Sequence, residues 1–82
     1  MKLSRDQSSS DLIKKFSRLG YVVTRQKGSH IRLTKVDENE NPHHITVPKH
    51  DPIKVGTLST IYNSIAQNLG LSKSELIQLL EK

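Results

Sequence analysis

Apolar residues recur along this chain with two different periods, and the change between them marks out its elements. Leu12, Ile13, Phe16 and Leu19 fall at helical spacing, with Lys14, Lys15 and Arg18 elsewhere around the wheel. Ser8, Ser9 and Ser10 offer N-cap hydroxyls ahead of them, and Asp11 places a carboxylate in the first turn. Gly20 is the expected C-terminal cap. The period then falls to two. Tyr21-Val22-Val23-Thr24 favours a strand running to about Gln26, Lys27-Gly28 supplies a turn, and residues 29–35 alternate. In that second strand Ile31 and Leu33 point one way and His30, Arg32 and Thr34 the other. A polar loop over residues 37–42 leads to a third strand at 43–47, with Ile45 and Val47 inward and His44 and Thr46 outward. Three strands with short links predict an antiparallel meander with one face buried and one wet.

Pro48 closes the sheet and residues 49–56 read as a loop. Thr57 is the expected cap of a second helix, whose apolar stripe is Leu58, Ile61, Ile65 and Leu69. Gly70 stops it. Ser72-Lys73-Ser74-Glu75 has the form of a capping box and opens a short third helix carrying Leu76, Ile77, Leu79 and Leu80. The order is α-β-β-β-α plus a terminal helix, an α+β class, and it resembles the topology of double-stranded-RNA-binding domains. In that arrangement both helices cover one face of a three-stranded antiparallel sheet. Leu12, Phe16, Leu19, Leu58, Ile61 and Ile65 are then the cover and take no part in chemistry.

Length limits what such a chain can hold. Its 82 residues suit one domain spanning 1–82; a domain this small buries only roughly 60% of its unfolded surface. With 33% hydrophobic and 4% aromatic residues, a shallow surface site is expected rather than a deep cofactor cavity, and no cofactor is expected. The absence of cysteine excludes disulfides and thiolate metal sites. Residues 1–7 form a polar lead-in without the apolar run of a signal peptide, and no stretch reaches membrane-spanning length. A cytoplasmic protein without a membrane partner is expected.

Charge changes the picture further. Thirteen Lys and Arg against 8 Asp and Glu give a net charge of +5 and a pI near 9.8, an excess that attracts polyanions, nucleic acid first among them. The acidic run Asp37-Glu38-Asn39-Glu40 would repel RNA and reads as a solvated hairpin.

Four histidines, His30, His43, His44 and His50, are the candidates for chemistry. Imidazole can both take and give a proton near neutral pH. RNA carries its own nucleophile, the 2′-hydroxyl beside each phosphate. Cleaving it needs that hydroxyl deprotonated, the leaving oxygen protonated and the phosphorane charge stabilised, which a histidine and nearby cations can supply without a metal. His30 is the best placed, just after Gly28 and on the same strand face as Arg32; spacing alone also fits an exposed strand residue with no task. Adjacent His43 and His44 point to opposite faces of a strand and cannot easily chelate one ion, so no metal site is expected. His43 should flank the core, His44 line the wet face and His50 sit in the loop. Lys27, Arg32, Lys49 and Lys54 offer a phosphate-gripping patch around His30. Tyr21 and Tyr62 read either as rings that stack on bases or as core rim.

Arg25-Gln26-Lys27-Gly28-Ser29-His30 with the alternating strand after it resembles the central motif of the HicA (YcfA-like) toxin family. The resemblance continues through Ile45-Thr46-Val47-Pro48-Lys49-His50 and Lys54-Val55-Gly56-Thr57-Leu58, and Leu19-Gly20-Tyr21 at the end of the leading helix fits too. It covers residues 8–71, leaving the helix over 72–82 as extra packing or an antitoxin contact. The acidic hairpin over 37–41 departs from the family's shorter turn. The resemblance implies a double-stranded-RNA-binding-like fold and an mRNA-cleaving endoribonuclease whose catalytic histidine is His30. It also implies neutralisation by a HicB-type antitoxin that covers the site. Lys27, Gly28, Ser29, Arg32, Lys49, His50 and Lys54 are the residues expected to hold RNA. The second proton-transfer group is left open among His50, Lys27 and a lysine of the 49–54 loop. Two other readings compete: a non-catalytic double-stranded-RNA-binding module, which a single lysine near the start of the last core helix disfavours, and a degenerate toxin kept for docking to a protein partner.

Overall fold

The computed structural model describes residues 7–81; the polar lead-in over residues 1–6 and Lys82 lie outside the described residues. The element order is α1 (Ser9–Ser17), β1 (Val22–Lys27), β2 (His30–Val36), β3 (Pro42–Pro48), α2 (Val55–Leu69) and α3 (Lys73–Leu80). The strands form an antiparallel sheet in the order β1-β2-β3, and the α+β class with its additional C-terminal helix stands as the sequence predicts.

Local capping chemistry sets most helix ends. Ser8 is the N-cap of α1: its hydroxyl accepts the Asp11 N–H at 3.1 Å while the Asp11 carboxylate accepts the Ser8 N–H at 3.2 Å. Ser72 and Glu75 repeat the device at α3, at 3.1 and 2.9 Å. Gly70 closes α2 in the left-handed region at φ 72°, where a side chain would be strained.

Two helix ends differ from expectation. Helix α1 stops at Ser17 with Arg18 as its C-cap, so Gly20 (φ +100°) is not the cap but the bend beyond it. There it also makes room for Lys35, whose ammonium donates to the Leu19 carbonyl; a Cβ on Gly20 would stand 2.8 Å from Lys35 Nζ. Helix α2 begins at Val55 with Lys54 as N-cap and without a side-chain capping bond, so Thr57 lies inside the first turn and is not the cap. The cause is long-range. Ile53 is 2% exposed and donates its N–H to the Gln7 carbonyl at 3.0 Å, which fixes the chain direction just ahead of the helix.

The core lies under β2 and β3. Ile31, Leu33, Ile45 and Val47 face Leu12 and Phe16 of α1 and Leu58, Ile61, Tyr62, Ile65 and Ala66 of α2. Phe16 and Tyr62 meet edge to face with ring centroids 5.7 Å apart. Leu19 is only partly buried against this cluster. Helix α3 adds Leu76, Ile77 and Leu80 and is tied to α1 by Arg18, which donates to the Leu80 carbonyl, and by the Lys15–Glu81 ion pair at 2.9 Å. Edge strand β1 buries none of its six residues; Tyr21, immediately before it, anchors that end in the core.

Both tyrosines are fully buried, which overturns their reading as base-stacking rings. Burial pushes the Tyr62 phenol up to about 12, with the Glu81 carboxylate adding to the shift and Gln7 offsetting part of it. Burial also raises the Tyr21 phenol, against the opposing hydrogen bond from Asn68.

Candidate functional site

The open face of the sheet is built in rows across the strands. Lys27, His30 and Pro48 stand side by side in the first, Arg25, Arg32 and Thr46 in the second, and Val22, Thr34 and His44 in the third. The β1–β2 register shifts between Val23 and Arg25, so Thr24 is an extra residue in a bulge. The consequence is chemical. In an unbroken register Thr24 and Gln26 would share the face of His30, while Arg25 and Lys27 would turn toward the helices. The bulge instead sets both cations beside His30 and Arg32. Lys27 stands beside His30 as the sequence predicts, whereas Arg25 is an addition that alternation alone does not predict. The doubled valine of Val22-Val23, which breaks alternation, was the available signal.

The turn is Gly28-Ser29 rather than Lys27-Gly28, because Lys27 remains paired with His30 as the last residue of β1. Gly28 takes φ +58°, the left-handed conformation such a tight reversal needs, and a Cβ there would meet open space. Glycine is thus required by the backbone, not by crowding. Strand β2 accordingly starts at His30, one residue later than expected.

Two hollows share His30 and Thr46 as a common wall. One, of about 390 Å³, is lined by His30, Thr46, Pro48, His50, Lys54 and Thr57. The other, of about 310 Å³, is lined by Arg25, Lys27, His30, Arg32 and Thr46. No carboxylate lines either. The structure therefore gathers His30, Lys27, Arg32, His50 and Lys54 as the sequence suggested, and adds Arg25, Thr46 and Thr57. Gly28, Ser29 and Lys49 line neither hollow; their backbone contribution is a clasp in which the Lys49 N–H donates to the Ser29 carbonyl at 2.6 Å.

That clasp is one of several that hold the 49–54 loop. Asp51 accepts the Ser9 N–H at 3.0 Å at the start of α1, and the Ile53 N–H reaches Gln7. His50 and Lys54 thus project from a segment pinned to the turn on one side and to α1 on the other. Helix α2, whose Lys54 N-cap makes no side-chain capping bond, contributes Thr57 to the same hollow, where a helix start favours an anion.

The remaining histidines divide as alternation requires. His43 faces the helices: its Nδ1 lies 2.7 Å from the Tyr21 hydroxyl and its Nε2 3.2 Å from the Ser64 hydroxyl, while Asn68 donates to the Tyr21 hydroxyl at 3.3 Å. Burial, then the neighbouring His44 charge, lowers the pKa of this neutral ring. His44 stands on the open face with Nδ1 2.7 Å from the Thr34 hydroxyl. Thr34 is on the outward face, as expected, yet it is 8% exposed because Thr24 and His44 cover it. Among the described residues, no three or more His, Asp or Glu side chains gather as a group able to hold a metal ion, and no helix is long and apolar enough to cross a membrane.

The acidic hairpin is ordered by its own first residue. Asp37 accepts the N–H groups of Asn39 and Asn41, both at 2.8 Å, and these bonds hold its carboxyl below the usual range.

Neither a curated protein nor a solved structure matches the chain. A family model described as the HicA toxin of bacterial toxin-antitoxin systems matches residues 9–71, from the first residue of α1 to the residue before the α3 N-cap. With most of its length so matched, the chain belongs to the HicA toxin family.

Proposed function

We propose that this toxin is an endoribonuclease that cleaves mRNA at the open face of the sheet, with His30 as the general acid/base. The observation that carries the reading is the convergence of two cationic, carboxylate-free hollows on the single imidazole of His30. Arg25, Lys27 and Arg32 grip the RNA phosphates and stabilise charge on the phosphorane, while Lys54 and the start of α2 hold the other side. His30 takes the 2′-hydroxyl proton as that oxygen attacks phosphorus. The departing 5′-oxygen needs a proton in turn, and His50, the other imidazole lining the same hollow, is the group to give it. Gly28, Ser29 and Lys49 act through the turn that sets His30, rather than by direct contact.

A metal is not required by this scheme. RNA incubated with the protein in excess EDTA should be cut, and substrates carrying a 2′-deoxy sugar at the cleavage position should resist. Cleavage that stops in EDTA, or that continues at deoxy positions, would contradict it.

Membership of a toxin-antitoxin family implies an antitoxin partner. We read that partner as a HicB-type protein that covers the cationic face, the whole chain as one toxin domain, and the cytoplasm as the place where both meet mRNA. A non-catalytic double-stranded-RNA-binding module gains nothing specific from the geometry, since His30 and His50 share a hollow that mere duplex docking does not need.

A further inference from the structure

All three aromatic residues of the chain, Phe16, Tyr21 and Tyr62, are fully buried, so the open face has no aromatic side chain on which an RNA base can stack. Imidazole rings are what remain. His30 and His50 belong to the hollows at one end of the face. His44 stands apart: it pairs with Thr34, four residues along β2 from His30, which at about 3.3 Å per residue separates them by roughly 13 Å. That is beyond the span of one nucleotide, so His44 is too distant to share a proton transfer with His30.

The His44 ring is aimed rather than loose. Its Nδ1 lies 2.7 Å from Thr34 Oγ1, and Thr34 Oγ1 lies 2.8 Å from Thr24 Oγ1. Thr24 is the extra residue of the β1 bulge, and its hydroxyl lies beside this row. The chain of two hydroxyls occupies Nδ1 and leaves the exposed ring face and Nε2 to the outside. Between His30 and His44 lies the row of Arg25, Arg32 and Thr46, two cations where the phosphate joining neighbouring nucleotides would pass.

We propose that His44, held by Thr34 and Thr24, is a base-binding subsite for a nucleotide flanking the cleaved phosphate of single-stranded RNA. The inference rests on the proposed RNA-binding role of the open face. The ring stacks on the flanking base while Nε2, which lies in the ring plane, meets the edge of the adjoining base, so that this row, rather than the His30 hollow, sets which base is preferred there. Thr34 and Thr24 act as positioning residues.

The test uses short 2′-O-methyl homopolymers of A, C, G and U, which lack the nucleophile and so report binding without cleavage. Anisotropy titrations should show His44→Ala weakening the best-bound homopolymer roughly tenfold and flattening the order among the four. His44→Phe should restore affinity by stacking but not the order, and Thr34→Val, which keeps the ring and frees it, should fall between. Imidazole NMR signals of His44 in the unmodified protein should shift on adding RNA, a readout independent of whether any variant folds. If the His44 signals stay still and His44→Ala binds all four as the unmodified protein does, or if none of the four binds, the subsite is refuted. If the homopolymers bind through His44 but 2′-hydroxyl RNA is never cut, the subsite stands and the ribonuclease reading falls.

Discussion

The two faces of one three-stranded sheet carry opposite chemistry, and adjacent residues of β3 show how sharply. His43 turns toward the helices, is held between the Tyr21 and Ser64 hydroxyls, and has its pKa lowered by burial. His44, the next residue, turns to the open face and presents a free edge. On β2 the same step of one residue separates Leu33, fully buried, from Arg32, which lines a cationic hollow. The lesson is that residue type alone does not assign a role here; the parity of its position does. A bulge changes parity, and Arg25 and Lys27 reach the open face only because Thr24 supplies the extra residue.

The comparison can be broken by substituting neighbours that differ only in the face they take. Leu33→Ala should remove about 2–5 kcal/mol of stability and lower Tm by more than about 10 °C in a domain of this size. Arg32→Ala should leave Tm nearly unchanged while weakening RNA binding about tenfold. Equal thermal losses from the two would undo the assignment of faces. Circular dichroism melts and anisotropy titrations on the same preparations make the comparison.

A smaller effect reads the helix-facing histidine of β3 by pH. The folded-state pKa of His43 is lowered from the ordinary 6.5, so the unfolded chain binds its proton first as pH falls. Stability from the neutral ring is therefore complete above about pH 6.5 and is lost as pH drops through the lowered folded value. Urea midpoints measured from about pH 7.5 down to 5 should fall in the unmodified protein, and His43→Gln should flatten that part of the profile. An unchanged profile in the variant would remove His43 as its source. The capping carboxylates Asp11 and Glu75, both lowered first by a backbone N–H of the cap serine, act in a separate, more acidic window.

The smallest effect probes the bulge. Arg25→Ala should lower RNA affinity modestly and reduce the slope of log affinity against log salt by about 1, whereas Gln26→Ala, on the opposite parity, should leave the slope alone. Identical slopes for both would mean that the bulge does not deliver Arg25 to the RNA.

What was legible in the sequence was local. The capping boxes at Ser8–Asp11 and Ser72–Glu75 close over three residues, Gly70 needs only its own backbone, and alternation in β2 and β3 assigned Ile31, Leu33, Ile45 and Val47 to the core. The misplaced features depend on distant partners. The start of α2 is set by Ile53 reaching Gln7, the burial of Tyr21 and Tyr62 by helices packing over both rings, and the face of Arg25 by a register shift against β2. The candidate site divides the same way: His30 and Arg32 followed from strand parity, while the approach of His50, Lys54 and Thr57 to His30 depends on a loop pinned through Ser29, Gln7 and Asp51.

The most direct measurement compares RNA cleavage by the unmodified protein, His30→Ala and His43→Ala, each first shown to be folded by circular dichroism. Removing the acid/base on the open face should slow cleavage about 10²- to 10⁴-fold, whereas His43→Ala, acting from the buried face, should keep activity at any temperature where it stays folded. If His30→Ala cleaves as fast as the unmodified protein, the open face is not where the chemistry occurs.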